Sequence, residues 1–260
     1  MSKKIFLFDM DGTLTEPRKE IDFNMVRKLK KLSSLGDIGI VTGSDFEYVN
    51  QQCNFLFDLG GVDLNKLLLF PCNGTKKYVW EGSSFKKKHD ADMIEKISKE
   101  AYHYILQTTL SYQLMICVQH KLPFTGTFFH YRGSMLNWCP IGRQADSASR
   151  SAWVSVDKEK KIREYFLHKL KEDFTSKKYN VEVALGGSTS FDIYPEGWDK
   201  TYVIDHLGDY EEIYFVGDKC RDGGNDKALY DILHEEGKSF ETSGPEETLE
   251  IIDVLIEKNI

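Results

Sequence analysis

The sequence predicts an α/β fold in which a domain built on a parallel sheet is interrupted by an inserted α+β domain. Three observations support this prediction. Short apolar runs alternate with helical patterns in the first part of the chain, and the same texture returns in the last part. Between them lie long amphipathic helices and strand-like runs joined by glycine-containing turns. Alternating strands and helices are typical of a parallel sheet, whereas segregated strands and helices are typical of α+β domains.

The change of texture also predicts where the domains begin and end. We expect residues 1–83 and 194–260 to form one discontinuous core domain, and residues 84–193 to form the insert. Each part is long enough to fold around a hydrophobic core of its own, because most domains contain ~50–250 residues.

In the first part, short apolar runs are typical of buried strands, and apolar residues at helical spacing separate them. Asp22 is suited to cap the first helix, since an aspartate oxygen accepts hydrogen bonds from the free N–H groups at a helix start. The predicted elements are, in order, the strand Lys4–Phe8, a helix with Met25, Leu29 and Leu32 on one face, the strand Asp37–Val41, the helix Phe46–Gln52 and the strand Leu67–Pro71.

The insert is predicted to contain helices packed on an antiparallel sheet, after which the chain returns to the core domain. The elements of the insert are expected at Ala91–Thr109 (helix), Gly126–Tyr131 and Met135–Cys139 (strands), Lys158–Phe174 (helix), and Val181–Leu185 and Ser190–Tyr194 (strands). The last part should contain the helix Asp199–Leu207, the buried strand Glu212–Gly217 and two further helices, the second beginning near Pro245.

Charge and cysteine content restrict the classes of partner and the compartment. The formal net charge of -7 disfavours binding to nucleic acid or to an anionic membrane surface, and no segment is apolar enough to cross a bilayer. The chain has five cysteines and no Cys-x-x-Cys pair, which argues against a disulfide framework or a zinc site. Reduced thiols of this kind are typical of cytoplasmic proteins.

Asp9 and Asp11 follow the first predicted strand directly, in the sequence Asp-Met-Asp-Gly-Thr. In open α/β sheets, ligands bind outside the carboxyl ends of the strands, so these carboxylates lie where chemistry is expected. Two neighbouring carboxylates repel each other unless a cation lies between them, and a hard dication such as Mg²⁺ suits their oxygen atoms. An Asp-rich turn is the alternative interpretation, because Asp-Gly is a common turn pair.

Further polar residues follow the later strands. Ser44 comes after the second strand and is suited to bind an anion or to cap the next helix, and the two roles are compatible. Lys200 stands at a predicted helix start, where a cation is unfavourable unless an anion lies nearby, although a surface lysine is the simpler interpretation. Asp218 ends the last buried strand, and the glycine-containing loop after it brings Asn225 and Asp226 as two further oxygen ligands for Mg²⁺.

In this order, the four groups resemble the four motifs of the haloacid dehalogenase (HAD) superfamily of phosphotransferases. The resemblance implies a HAD-type, Rossmann-like core with an inserted cap domain. It implies that Asp9 is the nucleophile that takes up the phosphoryl group and that Asp11 is the general acid and base. Ser44 and Lys200 would hold phosphoryl oxygens. The implied Mg²⁺ ligands are the Asp9 side chain, the Asp11 backbone carbonyl and Asp218, with Asp226 added from the loop pattern.

The insert resembles one family of this superfamily more closely. It carries Arg-Gly-Ser-Met-Leu-Asn at 132–137, Pro-Ile-Gly-Arg at 140–143, Arg150, and Gly-Gly-Ser-Thr-Ser-Phe-Asp at 186–192, followed by Pro-Glu-Gly-Trp-Asp-Lys at 195–200. Together with core segments at 15–18, 43–47 and 71–74, this series is similar to the eukaryotic phosphomannomutases over nearly the whole chain. The sequence departs from the family pattern at Gly133-Ser134, at Ser188 and at Cys220–Asp222.

The family resemblance also implies which residues bind the phosphate that is not transferred and the sugar hydroxyls. These residues are Arg18, Asn73, Arg132, Arg143, Arg150, Ser190 and Asp192. Arginine suits phosphate because its planar fork donates two parallel hydrogen bonds and keeps its charge. For any single arginine, a surface salt bridge is the alternative interpretation.

The function implied by the resemblance is that of a cytoplasmic phosphohexomutase. It would interconvert mannose 6-phosphate and mannose 1-phosphate, with a hexose 1,6-bisphosphate as activator, and supply mannose 1-phosphate for GDP-mannose synthesis. Hexose phosphates are the expected partners, and the family implies a homodimer formed through the cap. Two other functions stay open: a HAD sugar phosphatase, and a non-catalytic protein that binds phosphosugars.

Overall fold

A computed structural model describes residues 3–58, 62–122 and 124–258. The chain divides into two compact units, which we call the first unit (Met1–Asp90 and Trp198–Ile260) and the second unit (Ala91–Gly197). These boundaries lie several residues later than the expected ones. The reason is that residues 84–90 form a strand paired with the sheet of the first unit, and the last strand of the second unit extends to Pro195.

The strands and helices have the following bounds. In chain order, the strands are Lys4–Phe8 (β1), Asp37–Val41 (β2), Leu67–Phe70 (β3), Lys76–Glu81 (β4), Ser84–Asp90 (β5), Phe129–Tyr131 (β6), Leu136–Trp138 (β7), Val181–Gly186 (β8), Ser190–Pro195 (β9), Glu212–Gly217 (β10) and Ser239–Glu241 (β11). The α-helices are Phe23–Leu32 (α1), Phe46–Gln52 (α2), Asn54–Asp58 (α3), Met93–Ile97 (α4), Lys99–Gln119 (α5), Ser147–Lys160 (α6), Ile162–Ser176 (α7), Lys227–His234 (α8) and Pro245–Glu257 (α9).

The described part of the first unit is built on a seven-stranded sheet with the order β11-β10-β1-β2-β3-β4-β5. The five strands from β11 to β3 are parallel, while β4 and β5 form an antiparallel hairpin at one edge. Successive residues of β1 alternate between two apolar clusters, with Phe6 and Phe8 in one and Ile5 and Leu7 in the other. A strand buried on both faces is typical of a parallel sheet covered by helices. The predicted α/β core is therefore confirmed.

The second unit contains an antiparallel sheet with the strand order β6-β7-β9-β8, and α7 packs against β8 and β9. Its core contains stacked aromatic rings, of which Trp138 on β7 and Phe191 on β9 have ring centroids 4.6 Å apart. Both side chains are fully buried. The predicted α+β insert with an antiparallel sheet is confirmed.

Two expected helices are each divided in the structure. Instead of one helix at Ala91–Thr109, α4 ends before Ser98 (φ 84°), and α5 begins after it and continues to Gln119. The helix expected at Lys158–Phe174 is formed by parts of α6 and α7, which meet at Lys161 (φ 55°). Non-glycine residues seldom adopt positive φ, so helical periodicity alone gave no reason to expect either break.

The last part of the chain differs from the prediction in two details. The segment expected as a helix at Asp199–Leu207 is a 3-10 helix, Lys200–His206, capped by the Asp199 carboxylate. Strand β11 was not predicted, because three residues are too few to display a period. Among the residues that the structure describes, no helix has the length and apolar character that crossing a bilayer requires.

Candidate active site

The ends of β1 and β10 bring Asp9 and Asp218 to the same edge of the sheet. The two strands are parallel neighbours with Phe8 opposite Val216, and the Asp9 N–H donates a hydrogen bond to the Val216 carbonyl (2.9 Å). Because parallel neighbours end on the same side, the residues that follow them meet there, at the edge where open α/β sheets bind ligands.

Gly12 allows the loop after β1 to approach Asp218 closely. A Cβ atom at position 12 would lie 2.5 Å from Asp218 Oδ2, and the glycine has a φ of +91°. Its N–H donates to the Thr15 carbonyl (2.7 Å) and closes the turn. Only glycine meets both conditions without strain. Gly12 of the Asp-Gly pair therefore does more than form a turn, because it also lets the loop lie against the Asp218 carboxylate.

Lys200 is a fully buried cation between two carboxylates. Its ammonium group donates hydrogen bonds to Asp9 Oδ1 and to Asp226 Oδ1, and its side chain has no exposed surface. The interpretation of Lys200 as a surface lysine is therefore wrong. Buried charges are retained in proteins when they are paired and hydrogen-bonded, and this ammonium group meets that condition.

Burial and mutual repulsion shift the pKa values of these groups. Burial raises the pKa of Asp9 to about 7, with Lys200 opposing the rise and the carboxylates of Asp226 and Asp218 adding to it. Burial alone would lower the pKa of Lys200, but Asp226 and Asp9 outweigh it and hold this pKa above its ordinary value. Burial also raises the pKa of Asp218. The cluster therefore favours additional positive charge.

Three carboxylates form a group that suits a hard dication. Asp9, Asp218 and Asp226 each present an oxygen within 4.8 Å of the others. The buried Asp218 Oδ1 has no hydrogen-bond partner among the residues that the structure describes. Oxygen ligands of this kind are those that Mg²⁺ prefers. Asp226 is held in place because its Oδ2 accepts the Lys219 N–H (3.0 Å).

The carboxylate of Asp11 has different neighbours. Its Oδ1 accepts hydrogen bonds from the Gln52 amide (3.2 Å), the Arg18 N–H (3.3 Å) and the Tyr48 hydroxyl (3.5 Å). Its predicted contribution to the metal is its backbone carbonyl, so these contacts leave that prediction untouched. Gln52 lies 41 residues from Asp11 and belongs to no sequence motif, so its contact with Asp11 was not predicted.

Ser44 lies between β2 and α2, where it was expected, but it does not cap the helix. The N-cap of α2 is Asp45, whose carboxylate accepts the Tyr48 N–H (3.0 Å), so that interpretation of Ser44 is wrong. Aspartate competes well for this position, since its oxygen reaches the free N–H groups of the first turn. The Ser44 N–H donates a hydrogen bond to the Thr42 hydroxyl oxygen (3.2 Å).

Asn73 and Arg18 lie in loops of the first unit. Asn73 is buried, its N–H donates to the Thr42 carbonyl (2.8 Å), and its side-chain amide donates to the Trp198 carbonyl (3.3 Å). It thus ties the loop after β3 to the segment that carries Lys200. Arg18 has an exposed side chain and adopts a positive φ of 68°.

In the second unit, Asn137 lies between two predicted substrate-binding residues. On the paired strands β7 and β9, Asn137 stands opposite Asp192, and its amide donates to Asp192 Oδ1 (2.7 Å). The Asn137 carbonyl oxygen accepts a hydrogen bond from the Arg143 guanidinium (3.2 Å). A guanidinium nitrogen of Arg132 lies 3.9 Å from the same Asp192 oxygen. The structure thus brings Arg132, Arg143 and Asp192 together.

Arg150 joins two segments of the same unit. Its guanidinium donates to the carbonyls of Ala145 and Arg143 (both 3.0 Å) and to the Thr189 hydroxyl (2.8 Å). Ser190, the next residue, begins β9 and lies on the same face of that strand as Asp192, because side chains alternate along a strand. Arg150 therefore links the segment after β7 to the start of β9.

Several proteins that are similar to this chain in sequence are described as phosphomannomutases. A profile of the family described as eukaryotic phosphomannomutase matches residues 25–258. A phosphomannomutase from Solanum lycopersicum is 34% identical over 254 residues, which is 96% of this chain and 93% of that protein. Phosphomannomutase 1 from Mus musculus is 36% identical over 229 residues, which is 86% of this chain and 82% of that protein.

The fold has relatives among solved structures at lower identity. An N-terminally truncated IMP-nucleotidase from Plasmodium falciparum, with IMP bound, matches with a TM-score of 0.68 at 12% identity, covering 98% of this chain and 68% of that one. A likeness at this identity concerns the fold alone, and it confirms the predicted HAD-type architecture. The sequence matches reach further, since they extend over most of the chain and of the relatives. The chain is an enzyme of the eukaryotic phosphomannomutase family.

Proposed function

We propose that this enzyme interconverts mannose 6-phosphate and mannose 1-phosphate. The single observation that carries the proposal is the buried group formed by Asp9, Lys200, Asp226 and Asp218 at the ends of β1 and β10. A nucleophilic carboxylate beside a buried cation and further carboxylates suits phosphoryl transfer, in which catalysis depends on positioning and charge. Membership of the family supports the choice of sugar phosphate.

Asp9 is the proposed nucleophile and Asp11 the proposed general acid and base. An Asp9 oxygen bonds to phosphorus while the bond from phosphorus to the sugar oxygen breaks, and Asp11 gives its proton to that oxygen. In the return step, Asp11 takes the proton of the attacking sugar hydroxyl as the phosphoryl group leaves Asp9. At the end of the cycle Asp11 has its proton again and the phosphoryl group is bound to the sugar. The cycle therefore consumes neither protons nor phosphate.

A hexose 1,6-bisphosphate is the proposed activator because it delivers the first phosphoryl group to Asp9. The phosphorylated enzyme then transfers this group to the free hydroxyl of a hexose monophosphate, which produces a bisphosphate. When the other phosphate of that bisphosphate returns to Asp9, the monophosphate isomer is released. These steps convert one hexose monophosphate into the other without using water.

The proposed ligands of Mg²⁺ are the carboxylates of Asp9, Asp218 and Asp226 and the backbone carbonyl of Asp11. The spacing of the three carboxylates supports this assignment, as does the Asp218 Oδ1 atom, which has no hydrogen-bond partner in the described part of the chain. When bound, Mg²⁺ would offset negative charge on the transferring phosphoryl group. Lys200, already a buried cation beside Asp9, would bind phosphoryl oxygens together with Ser44.

The second unit is proposed to bind the phosphate that is not being transferred. Arg143 and Arg132 supply positive charge beside Asn137 and Asp192, which offer hydrogen-bonding groups suited to sugar hydroxyls. The full proposed set of substrate-binding residues is Arg18, Asn73, Arg132, Arg143, Arg150, Ser190 and Asp192. Guanidinium groups are suited to this task because they bind phosphate in a bidentate manner.

A homodimer formed through the second unit is also proposed. Helix α5 presents exposed apolar side chains at a spacing of four residues, namely Leu110 (53% exposed), Leu114 (65%) and Val118 (78%). Residues at this spacing lie on one face of a helix. We call this face the α5 apolar stripe, and contiguous apolar surface of this kind is typical of interfaces between proteins.

The proposed compartment is the cytoplasm, and the proposed role is to supply mannose 1-phosphate for GDP-mannose synthesis. All five cysteines are free thiols, which supports a reducing compartment. The role in GDP-mannose synthesis follows from the proposed product.

A coupled assay on the purified protein tests the proposed function. The assay supplies mannose 1-phosphate, Mg²⁺ and a hexose 1,6-bisphosphate, and it follows 6-phosphate and free phosphate at the same time. A mutase forms mannose 6-phosphate with little free phosphate. Formation of free phosphate in place of mannose 6-phosphate would instead identify a sugar phosphatase. If neither the mannose 1-phosphate nor the bisphosphate is turned over, the result favours a binding protein.

A further inference from the structure

Gln52, at the end of α2, connects Asp11 to Thr15. The side chain is 2% exposed, and its amide nitrogen Nε2 donates to Asp11 Oδ1 (3.2 Å). Its amide oxygen accepts a hydrogen bond from the Thr15 hydroxyl (2.7 Å). The nitrogen and the oxygen of this buried amide are therefore both hydrogen-bonded to residues of the loop after β1.

The surroundings dictate the orientation of this amide. Asp11 Oδ1 is an acceptor, so an amide oxygen turned toward it at this distance would be repelled, whereas the NH₂ group donates to it. The buried Thr15 hydroxyl has one proton and two acceptors within reach, the Met10 carbonyl (3.2 Å) and the amide oxygen (2.7 Å), and it donates to the closer amide oxygen. Thr15 thus fixes Gln52, and Gln52 in turn fixes one oxygen of Asp11.

The two oxygens of the Asp11 carboxylate are not equivalent. Gln52, the Arg18 N–H and the Tyr48 hydroxyl all donate to Oδ1. We propose that Gln52 is a positioning residue that anchors Oδ1, so that Oδ2 is the oxygen that exchanges the proton with the sugar. This inference rests on the proposed role of Asp11 as general acid and base, and it assigns that role to one atom.

A purely structural role for the Gln52 side chain predicts a different result. The backbone carbonyl of Gln52 accepts the Ile21 N–H (2.8 Å), and this bond survives any change of the side chain. Loss of the side-chain amide should therefore change the orientation of the Asp11 carboxylate more than it changes the backbone conformation around Ile21. If the side chain had only a structural role, its loss would instead slow phosphoryl transfer from every substrate by the same factor.

The test compares leaving groups that do and do not need a proton. Nitrophenolate leaves from 4-nitrophenyl phosphate without protonation, whereas a sugar oxygen leaves only when Asp11 protonates it. In Gln52→Met, single-turnover release of nitrophenolate should stay within about twofold of wild type. Single-turnover phosphoryl transfer from glucose 1,6-bisphosphate should fall about 10- to 100-fold, the range expected for one hydrogen bond to a charged group. The KM for the bisphosphate should change little.

The matched control is Gln51→Met, which makes the same change at the neighbouring, exposed position. This variant should match wild type with both substrates. If Gln52→Met does not fold, Thr15→Val tests the same chain of contacts, because it removes the hydroxyl that orients the amide. We expect the same selective loss in this variant, about 2- to 10-fold, as for a neutral hydrogen bond.

Two results would overturn the inference while the proposed function stands. Either both leaving groups slow equally in the folded variants, or neither slows. A wild-type enzyme that takes no phosphoryl group from the bisphosphate would contradict the proposed function, and the assignment of Asp11 Oδ2 would fail with it.

Discussion

Asp9 and Lys200 lie 191 residues apart in the sequence, yet the Lys200 ammonium donates a hydrogen bond to Asp9 Oδ1 in the interior of the first unit. The side chain of Lys200 has no exposed surface and that of Asp9 is 6% exposed. The ammonium also donates a hydrogen bond to Asp226 Oδ1, so one cation stabilises two buried carboxylates. The integrity of the site and the stability of the fold thus depend on the same residue.

Removal of this cation should destabilise the protein and abolish turnover. In Lys200→Met, Asp9 and Asp226 lose their shared partner, and breaking a buried pair from one side costs roughly 3–5 kcal/mol. Urea unfolding with EDTA present measures this loss, and Mg²⁺ should restore part of it by replacing the missing charge. The control is Lys258→Met, which changes an exposed lysine just after α9. Equal stability of the two variants would contradict the account.

The raised pKa of Asp9 predicts how stability depends on pH when metal is absent. The folded protein holds this proton up to about pH 7, whereas the unfolded chain releases it near the ordinary value of 3.8. The folded state therefore binds more protons in this window, and the free energy of unfolding falls as pH rises, by up to about 1.4 kcal/mol per pH unit. Lys200 stays protonated in both states there and does not contribute.

Chemical unfolding at several pH values in EDTA measures this slope. The Asp9→Asn variant should show a flatter profile, because it has no carboxyl to titrate at this position. Affinity for Mg²⁺ should strengthen as pH rises through 7, since the ligand must lose its proton first. A wild-type profile with the same slope as Asp9→Asn would show that Asp9 titrates normally.

Much of the candidate site follows from sequence because it depends on local patterns. An apolar run that ends in an acid places Asp9 and Asp218 at strand ends, and parallel pairing brings them together. The contact of Gln52 with Asp11 has no such signal, since it depends on how α2 packs beside the loop after β1. The hairpin of β4 and β5 was missed because its lysines, such as Lys86 and Lys87, obscure any alternation; lysine is common on edge strands, where it blocks further pairing.

The two arginines Arg143 and Arg150 should respond differently to substitution. In Arg143→Leu, the KM for hexose phosphates should rise about tenfold or more, since a lost phosphate contact of about 1.4 kcal/mol is a factor of ten. In Arg150→Leu, three hydrogen bonds to oxygen atoms are lost, so the free energy of unfolding should also fall by about 2 kcal/mol or more.

Hydrolysis of 4-nitrophenyl phosphate provides the internal control for Arg143→Leu. This small substrate has no second phosphate, so its turnover should stay close to the wild-type value in Arg143→Leu. Denaturation with urea separates the stability effect of Arg150→Leu from its effect on KM. The proposed substrate site would be wrong if Arg143→Leu slowed the small ester and the hexose phosphate equally.

The α5 apolar stripe predicts how the protein can be made monomeric. In Leu114→Glu, a charge replaces a side chain that is 65% exposed in the single chain, so a dimer built on this face should dissociate while the fold persists. Sedimentation equilibrium measures the mass directly. The matched control is Val254→Glu, which places the same charge at an exposed apolar position (39%) on α9. A dimer that survives Leu114→Glu would exclude this face.

The most direct test of the proposed mechanism is to identify the residue that carries the phosphoryl group. The enzyme is mixed with hexose 1,6-bisphosphate and Mg²⁺, quenched in acid and treated with borohydride, which reduces an aspartyl phosphate to homoserine. Mass spectrometry of the peptide that contains both Asp9 and Asp11 then locates the change. We expect homoserine at position 9 and intact aspartate at position 11. Reduction at position 11, or no reduction in an enzyme that turns over, would contradict it.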